Sequence, residues 1–310
     1  MGEKPGSWRF RMTRSMTEWV TVADGMTIIA RESGEVWFHR PGVADADMDP
    51  FVKRMTGAGA VSSTVGLLDG AIHLGFASSD REPPRGDATL IGYVLALVGA
   101  YHTSVNTPRN LRRAARRFAR LGRPEVAAYL EKRAREETGH DRLALKDLNA
   151  LGLPGARIVA NLMPEGIAPL CDRFDALCLD DYPIGSIGYS YCLERIAALK
   201  QKEDIDRVAA LCPPDVDATR FLRSHSCLGS EVAHVEDTIE FVASLPADDR
   251  IRVVEETYRS ALIMASGYRH ELNKPDTAVL EELEAAAGEV LWPCRHALAS
   301  VPEGNARPAA

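Results

Sequence analysis

Residues 135–141 read Arg-Glu-Glu-Thr-Gly-His-Asp and lie inside a helical pattern that extends from residue 125 to about residue 150. Within this stretch Glu137 and His140 are three positions apart, so a continuous helix would place both on one face, about one turn from each other. A carboxylate and an imidazole in that arrangement can reach the same metal ion. The pattern therefore predicts a metal-binding face on a helix.

This pair is a weak signal by itself. Glu-x-x-His pairs supply ligands in the carboxylate-bridged di-iron proteins that are built from helical bundles. The same spacing also occurs by chance in many helices whose polar face is simply solvated. A metal site needs more than two ligands, so the hypothesis depends on what the rest of the chain offers.

Composition excludes several classes of partner. The 310 residues carry a formal net charge of −7, and 45% of them are apolar. A chain of this length forms one large domain or two smaller ones with a sizeable core. The acidic balance argues against nucleic acid or an anionic membrane, and no apolar run approaches the length of a membrane-spanning helix. Arginines at 109–117 and 133–135 alternate with apolar residues, which is typical of solvated helix faces.

The cysteines and the N-terminus bear on the cellular compartment. The first residues lack the apolar segment of a secretory signal peptide. Six cysteines are spread along the chain without a Cys-x-x-Cys pair, which predicts reduced and mostly packed thiols. These features predict a cytoplasmic protein, and they leave a homodimer open.

The first part of the chain, residues 1–80, has a β-rich pattern. Short runs of β-formers are separated by Asp-Gly at 24–25 and by Ser-Gly at 33–34, and such dipeptides predict hairpins. Residues 71–76, Ala-Ile-His-Leu-Gly-Phe, alternate in polarity and look like a further strand. We therefore expect a small β-rich N-terminal extension.

A helical pattern replaces the β-rich one from residue 87 onward. Residues 87–300 show helical periodicity with short connections, which predicts seven to nine helices in an all-α bundle. Residues 78–86 contain the charged and proline-rich sequence of a linker. The last ten residues, 301–310, are expected to form a disordered tail.

Two side chains on other predicted helices are candidates for completing a metal site. His102 lies at the end of a mostly apolar helix, where a histidine is more often a satisfied core residue than a ligand. Glu194 lies on a helix with apolar or bulky neighbours, where a carboxylate is costly to bury unless it is paired or bound to a cation. The alternative for Glu194 is neutralisation by Arg195 or by another arginine.

Residues 225–237 hold the densest group of candidate ligands. Glu231 and His234 repeat the Glu-x-x-His spacing. His225 is nine positions before His234, and at about 100° per residue it would face roughly half a turn away on a straight helix. An interruption at 229–230, Gly-Ser, would bring the two histidines onto one side. We predict such a break in this helix.

The combined pattern resembles that of the heme-oxygenase-like di-iron oxidases. In that superfamily a ligand on the first core helix precedes a Glu-x-x-His pair by some thirty-five residues. A lone Glu on a middle helix and a His-x-x-x-Asp-x-x-His-like stretch then follow. The resemblance covers residues 87–270, and the matching positions are His102, Glu137 with His140, Glu194, and residues 225–237.

This resemblance implies a seven-helix, heme-oxygenase-like bundle that binds two Fe(II) ions per chain and uses O2 as co-substrate. The implied activity is non-heme oxidation of a small amino-acid-like substrate in natural-product biosynthesis, by desaturation, C–H or C–C cleavage, cyclisation or N-oxygenation. The implied metal ligands are His102, Glu137, His140, Glu194, His225, Glu231 and His234. Weaker candidates for binding the substrate are Arg259, Arg269 and Asp172, for which a plain surface position is the alternative.

The chain departs from the family pattern in three places. The ligand on the first core helix is usually Glu, and here the candidate is His102. The last motif carries two extra residues, with Glu231 where Asp is expected. Cys227 or Gly229 stands where the family has a ligand. We therefore expect one iron site to be altered, weak or completed only with substrate.

Two other functions are compatible with such a bundle. One is a metal-free enzyme of the thiaminase-like or quinone-cofactor-synthesis-like kind, which would not need Glu137, Glu194 and His234 together. The other is a non-catalytic binding protein that uses the β-rich start as a recognition module. Tight iron binding distinguishes the oxidase from the first, and oxygen consumption distinguishes it from the second.

Overall fold

The computed structural model describes residues 17–22, 25–40, 51, 53–57, 59–79 and 88–299. The predicted tail and most of the predicted linker lie outside these residues. Three strands precede fourteen helical segments in the part described. None of those helices is long and apolar enough to cross a membrane. All six cysteines are free thiols, as predicted.

The strands form one antiparallel sheet in the order β1-β2-β3, with β1 at Thr17–Thr21, β2 at Thr27–Arg31 and β3 at Val36–His39. Their pairing confirms both predicted hairpins, although residue 24 of the first turn lies outside the described residues. Strand β2 is central, and its first four side chains are buried. The sheet is therefore covered on both faces along its middle strand.

Helix α1 (Val61–Ser78) follows the sheet, so the strand expected at residues 71–76 is wrong. Burial in this segment recurs about every four positions, at Leu67, Ala71 and Gly75. That spacing is the period of a helix, whereas a strand buries every second residue. The alternation in the sequence was too short to distinguish the two.

Helix α1 packs between the sheet and the rest of the bundle. Its Leu68 shares one hydrophobic cluster with Ile28 of β2 and Tyr258 of helix α12 (Ala247–Asn273). Part of the predicted N-terminal extension thus contributes to the core of the bundle. A separate folding unit over residues 1–80 stays a prediction.

The remaining helices form the bundle around two hydrophobic clusters. Their bounds are α2 Leu90–Val105, α3 Thr107–Arg120, α4 Pro124–Glu136, α5 Asp141–Ala150, α6 Gly155–Asn161, α7 Ala168–Leu179, α8 Gly185–Ala198, α9 Lys202–Ala209, α10 Arg220–Ser224, α11 Glu231–Ser244, α13 Asp276–Ala287 and α14 Trp292–Ala299. One cluster joins the sheet and α1 to α3, α4, α7, α8, α11 and α12, and the other joins α2, α5, α6, α13 and α14. An all-α bundle with a small β-rich start is the architecture that the sequence predicted.

The helix predicted over residues 125–150 is in fact two helices. Helix α4 ends at Glu136, helix α5 begins at Asp141, and the four residues between them form a turn. Gly139 in this turn has a φ of +98°, in the left-handed region that favours glycine. Glu137 and His140 therefore lie on a turn between two helices and not on a continuous helix face.

The break predicted between His225 and His234 is confirmed, and it is longer than expected. Helix α10 ends at Ser224 and helix α11 begins at Glu231, so residues 225–230 form the interruption. The backbone folds back tightly there, because a Cβ on Gly229 would lie 2.0 Å from the carbonyl oxygen of Ser224. Only glycine fits at that position.

A buried ion pair ties the sheet to the bundle. The Glu18 carboxylate of β1 accepts hydrogen bonds from Arg250 Nη2 and from Ser63 Oγ. Arg250 Nη1 also donates to the carbonyl oxygens of Gly57 and Leu245, at 3.1 and 3.2 Å. Glu18 and Arg250 are only 4% and 1% exposed. The pair is therefore shielded from water on both sides.

Replacing Arg250 by leucine should lower the free energy of unfolding by about 3–5 kcal/mol, because the Glu18 carboxylate would stay buried without its partner. Urea unfolding followed by circular dichroism measures the change. Arg31→Leu is the matched control, since its ion pair with Glu35 is exposed and should contribute far less. Equal effects of the two substitutions would show that the buried pair does not stabilise the sheet against the bundle.

Candidate metal centre

Three side chains from two separate segments converge on one point. Glu137 Oε2 is 3.0 Å from His140 Nδ1, and His140 Nδ1 is 3.0 Å from His225 Nε2. One ligand atom of each residue lies within 4.8 Å of the others. The two imidazoles meet edge to face, with ring centroids 4.6 Å apart. These residues form the first group of the site.

The geometry of this group fits a bound cation. Two ligand atoms about 2.1 Å from one ion, at a right angle to each other, are about 3.0 Å apart. His225 Nδ1 lies 3.0 Å from the backbone carbonyl of Phe221, so it is the nitrogen that donates there. Nε2 of His225 then keeps its lone pair for a metal ion. Such an outer hydrogen bond to a carbonyl is the usual way in which a ligating histidine is oriented.

A second group of candidate ligands lies beside the first. Glu231 Oε1 is 4.0 Å from His225 Nε2 and 3.8 Å from His234 Nδ1. Both carboxylate oxygens of Glu231, Nδ1 of His234 and one oxygen of Glu194 are buried without a hydrogen-bond partner among the described residues. Buried polar atoms are rarely left unpaired in proteins. Their presence at one place indicates that something binds there.

The side chain of Arg133 on helix α4 extends into this second group. Its Nη2 donates to Glu194 Oε1 at 2.6 Å and its Nη1 donates to Glu136 Oε2 at 2.6 Å. Nη2 also lies 3.7 Å from Glu137 Oε1. Arg133 is 2% exposed, so the interpretation of residues 133–135 as a solvated face is wrong for this arginine. Arg135 is exposed, as expected.

The neutraliser of Glu194 is thus Arg133 and not Arg195. The Arg195 guanidinium instead binds both carboxylate oxygens of Asp69 on helix α1, at 2.9 and 2.7 Å. An arginine other than Arg195 was the second of the two alternatives for neutralising Glu194. Position 133 lies one helical turn before Glu137 on α4, which directs its side chain to the same place.

Burial shifts the titration of Glu231 and His225 toward their neutral forms, whereas the hydrogen-bonded Glu137 carboxylate raises the pKa of His140 against the effect of burial. Desolvation, together with the nearby charges of Glu194 and Glu137, raises the pKa of Glu231 to about 8. Desolvation and the neighbouring His140 lower the pKa of His225 to about 4. Burial acts against ionisation of Glu137 as well, but its hydrogen bond to His140 holds the pKa of that carboxyl below its usual value. A neutral imidazole is the form that binds metal.

Helix breaks position the ligands. The α4–α5 turn carries Glu137 and His140, and the segment between α10 and α11 carries His225. Glu231 is the first residue of α11, where the partial positive charge of a helix N-terminus favours a carboxylate. The ligands therefore lie at helix ends, where a side chain is directed into the space between helices.

His102 does not join the cluster. Its Nε2 contacts the backbone carbonyl of Leu162 at 2.8 Å, and its ring packs against Tyr101. His102 is thus a histidine whose ring is hydrogen-bonded within the bundle, which was the alternative to a metal ligand. The structure thus gives no ligand on α2 at position 102 for the site.

The three weak candidates for substrate binding lie outside the cavity described next. Arg259 and Asp172 are exposed, and Arg269 Nε donates to the backbone carbonyl of Ala265 at 3.2 Å. None of the three lines that cavity. Arg259 and Asp172 thus occupy the surface positions that were the alternative for them, and a role of the three residues in binding a substrate stays a prediction.

A cavity of about 260 Å³ opens beside the cluster, between the two hydrophobic clusters of the bundle. This volume is near the lower limit of ligand pockets, roughly 300 Å³. Its wall is mostly apolar. The lining includes Glu137, Glu194, His225 and Glu231 of the cluster, Leu95, Ala96, Gly99 and Ala100 of α2, and Leu193, Ala197 and Met264. A small molecule in this cavity would contact both the acidic cluster and an apolar surface.

Lys200 also lines this cavity, just beyond the end of α8. Burial lowers the pKa of its ammonium group, while the carboxylates of Asp204 and Glu231 act in the opposite direction. Within the described part of the chain the Lys200 ammonium forms no ion pair. Neither Lys200 nor Arg133 was found from the sequence. Arg133 was detectable by its position one turn before Glu137, whereas no pattern marked Lys200.

Comparison with known proteins gives limited information. No protein-family model matches the chain, and no curated protein matches it. A solved structure of a domain of unknown function with a heme oxygenase-like fold, from Shewanella denitrificans OS217, matches at 17% sequence identity with a TM-score of 0.47. The match covers 80% of this chain and 95% of that domain. Similarity at this level assigns neither an activity nor a cofactor to the chain.

Replacing Glu231 by methionine should raise the free energy of unfolding of the metal-free protein by about 1–3 kcal/mol, because a buried carboxylate without partners is removed. Thermal unfolding in the presence of a chelator measures this. Asp147→Asn is the matched control: that buried carboxylate accepts from Phe221 N at 2.8 Å and from Arg220 Nη1 at 3.2 Å. The control should lose stability. If Glu231→Met also lowered the free energy of unfolding, Glu231 would be a structural residue.

Proposed function

We propose that the chain is an Fe(II)-dependent oxidoreductase that uses O2 to oxidise a small organic substrate in the cavity beside the cluster. The observation that supports this most is the convergence of Glu137, His140 and His225 with 3.0 Å spacings between neighbouring ligand atoms. Two histidines and one carboxylate with open positions are the ligand set of non-heme Fe(II) oxygenases. A closed structural zinc site would instead use four protein ligands.

The residues of the chain have distinct parts in this proposal. Glu137, His140 and His225 would hold the iron, and the Phe221 carbonyl fixes the orientation of the His225 ring. Bound Fe(II) supplies the binding and reduction of O2. The apolar lining holds the substrate against the site and excludes water. A two-electron oxidation of the substrate provides half of the four electrons that reduce O2 to water, so an external two-electron reductant is part of the proposal.

The substrate that suits this cavity is a small acid with an apolar portion, such as an amino acid. Lys200 provides a cation on the cavity wall for its carboxylate, and Glu231 lies near enough to influence that ammonium. The buried carboxylates of the cluster are suited to a substrate amine. The chemical outcome, a role in natural-product biosynthesis and a cytoplasmic location stay predictions.

One observation favours a second function. Arg133 neutralises Glu194 without any metal ion, which is what a metal-free enzyme of the same kind of bundle would show. It leaves the unpaired atoms of Glu231 and His234 without explanation. Metal binding distinguishes the two functions.

Anaerobic titration with Fe(II), with bound iron measured after dialysis, tests the ligands. Wild-type protein should bind iron, and Glu137→Gln and His225→Ala should each weaken binding at least about 100-fold, since loss of even an outer-shell partner commonly costs 10–100-fold. His102→Ala is the matched control and should bind iron as wild type does, because its ring contacts Leu162. Wild-type protein without bound iron would favour the metal-free enzyme.

Replacing Lys200 by methionine should raise KM for a carboxylate substrate by about 10–100-fold, the loss expected for one hydrogen bond to a charged group. Oxygen uptake with a panel of amino acids and their amides measures this. Iron binding should be unchanged, and KM for the amides should rise only slightly. Lys202→Met is the control, because Lys202 is exposed and pairs with Asp206 at 2.5 Å. An equal rise in KM for acids and amides would contradict a carboxylate-binding role of Lys200.

A further inference from the structure

We propose that the metal centre holds a single ion and that the guanidinium of Arg133 takes the place of a second cation. This inference rests on the function proposed above and defines its cofactor more narrowly. It departs from the two ions per chain that the sequence resemblance implied.

The candidate ligands differ in what they contact. Glu137 Oε2, His140 and His225 meet one another directly. Glu194 Oε1, in contrast, already accepts a 2.6 Å hydrogen bond from Arg133 Nη2. A metal ion bound by Glu194 Oε1 would lie against that guanidinium. The first group therefore holds no permanent cation, whereas the position beside Glu194 Oε1 already has one.

Arg133 places a positive charge among carboxylates that a second ion would otherwise use as ligands. Its two terminal nitrogens lie within 3.7 Å of three carboxylates, those of Glu136, Glu137 and Glu194. The side chain is 2% exposed and begins on α4, four residues before Glu137 in the turn that follows. It cannot lose its proton under ordinary conditions. The arginine is thus a permanent cation among three carboxylates.

Helix α2 offers no replacement ligand to a second ion. The α2 residues that line the cavity are glycine, alanine, leucine, tyrosine, threonine and serine. None of them is a carboxylate, a histidine or a cysteine, and His102 contacts Leu162 instead. Among the described residues the second group consists of Glu194, Glu231 and His234, of which Glu194 is paired with Arg133.

The placement of the charges, rather than their sum, disfavours a second ion. Glu136, Glu137, Glu194 and Glu231 bring four negative charges when ionised, and Arg133 brings one positive charge. One Fe(II) leaves a net charge of −1, while two leave +1 with a dication next to the guanidinium. Repulsion between two unit positive charges 4 Å apart is already about 4 kcal/mol at an effective dielectric constant of 20. The arginine therefore disfavours the second ion directly.

Metal stoichiometry and Mn(II) electron paramagnetic resonance test the proposal together. Wild-type protein, dialysed anaerobically against Fe(II) or Mn(II), should retain one ion per chain, and bound Mn(II) should give the signal of an isolated ion. Arg133→Met should retain two ions, with the signal of an exchange-coupled pair, because Glu194 becomes free to bind. Neither readout depends on turnover.

Three matched variants distinguish the loss of the Arg133 charge from damage to the structure. Arg133→Lys keeps the positive charge and should retain one ion. Arg135→Met removes an exposed arginine two positions further on and should also retain one. Glu194→Gln should leave the stoichiometry at one, because Glu194 binds Arg133 and not an ion. This last variant keeps the proposal testable even if Arg133→Met fails to fold.

The outcomes are distinguishable. Two ions in the wild-type protein would overturn this inference and leave the proposed function intact. No ion in the wild-type protein would overturn both. One ion in the wild type and still one in a folded Arg133→Met variant would overturn the role of the arginine while retaining a single-iron site. One ion that becomes two on Arg133→Met, and stays one in the three matched variants, would support the proposal.

Discussion

Three buried glutamates and the partly exposed Glu136 surround the buried Arg133, and their mutual electrostatics govern the site. Burying a carboxylate costs several kcal/mol unless a cation and hydrogen bonds offset the cost. Arg133 offsets it for Glu194 and Glu136. Glu231 has no such partner among the described residues. The fold therefore retains a carboxylate that is unfavourable by itself, which is typical of a functional residue.

The same region shows how a helical bundle brings distant ligands together. Continuous helices would spread these side chains over several faces. The turn between α4 and α5 and the interruption between α10 and α11 instead direct Glu137, His140 and His225 toward one point. Glycines at 139 and 229 permit the two interruptions. The cavity lies beside them because the two hydrophobic clusters of the bundle meet there without filling the space.

Much of this arrangement was predictable from local patterns. Ligand spacing selected six residues that the structure does bring near one another: Glu137, His140, Glu194, His225, Glu231 and His234. The helical phase of His225 relative to His234 also required a break, and a break is present. Dipeptides typical of tight turns predicted both hairpins of the sheet. These inferences succeeded because they depend on backbone periodicity, which is a local property.

The remaining features depend on contacts between distant parts of the chain. Arg133 was interpreted as solvated because its partner Glu194 is 61 positions away. His102 has the right residue type, but its ring faces Leu162, 60 positions further on. Gly139 ends a helix although an isolated glycine inside a helical pattern is often tolerated. Residues 71–76 are too few for alternation to distinguish a strand from a helix. In each case tertiary packing decided between local alternatives.

Anomalous diffraction from crystals prepared anaerobically with Mn(II) or Fe(II) would locate the metal ion without any substrate. We expect one anomalous peak, about 2.0–2.2 Å from Glu137 Oε2, His140 Nδ1 and His225 Nε2, with the Arg133 guanidinium still bound to Glu194. A peak elsewhere, or the absence of any peak in crystals that contain the metal, would contradict it.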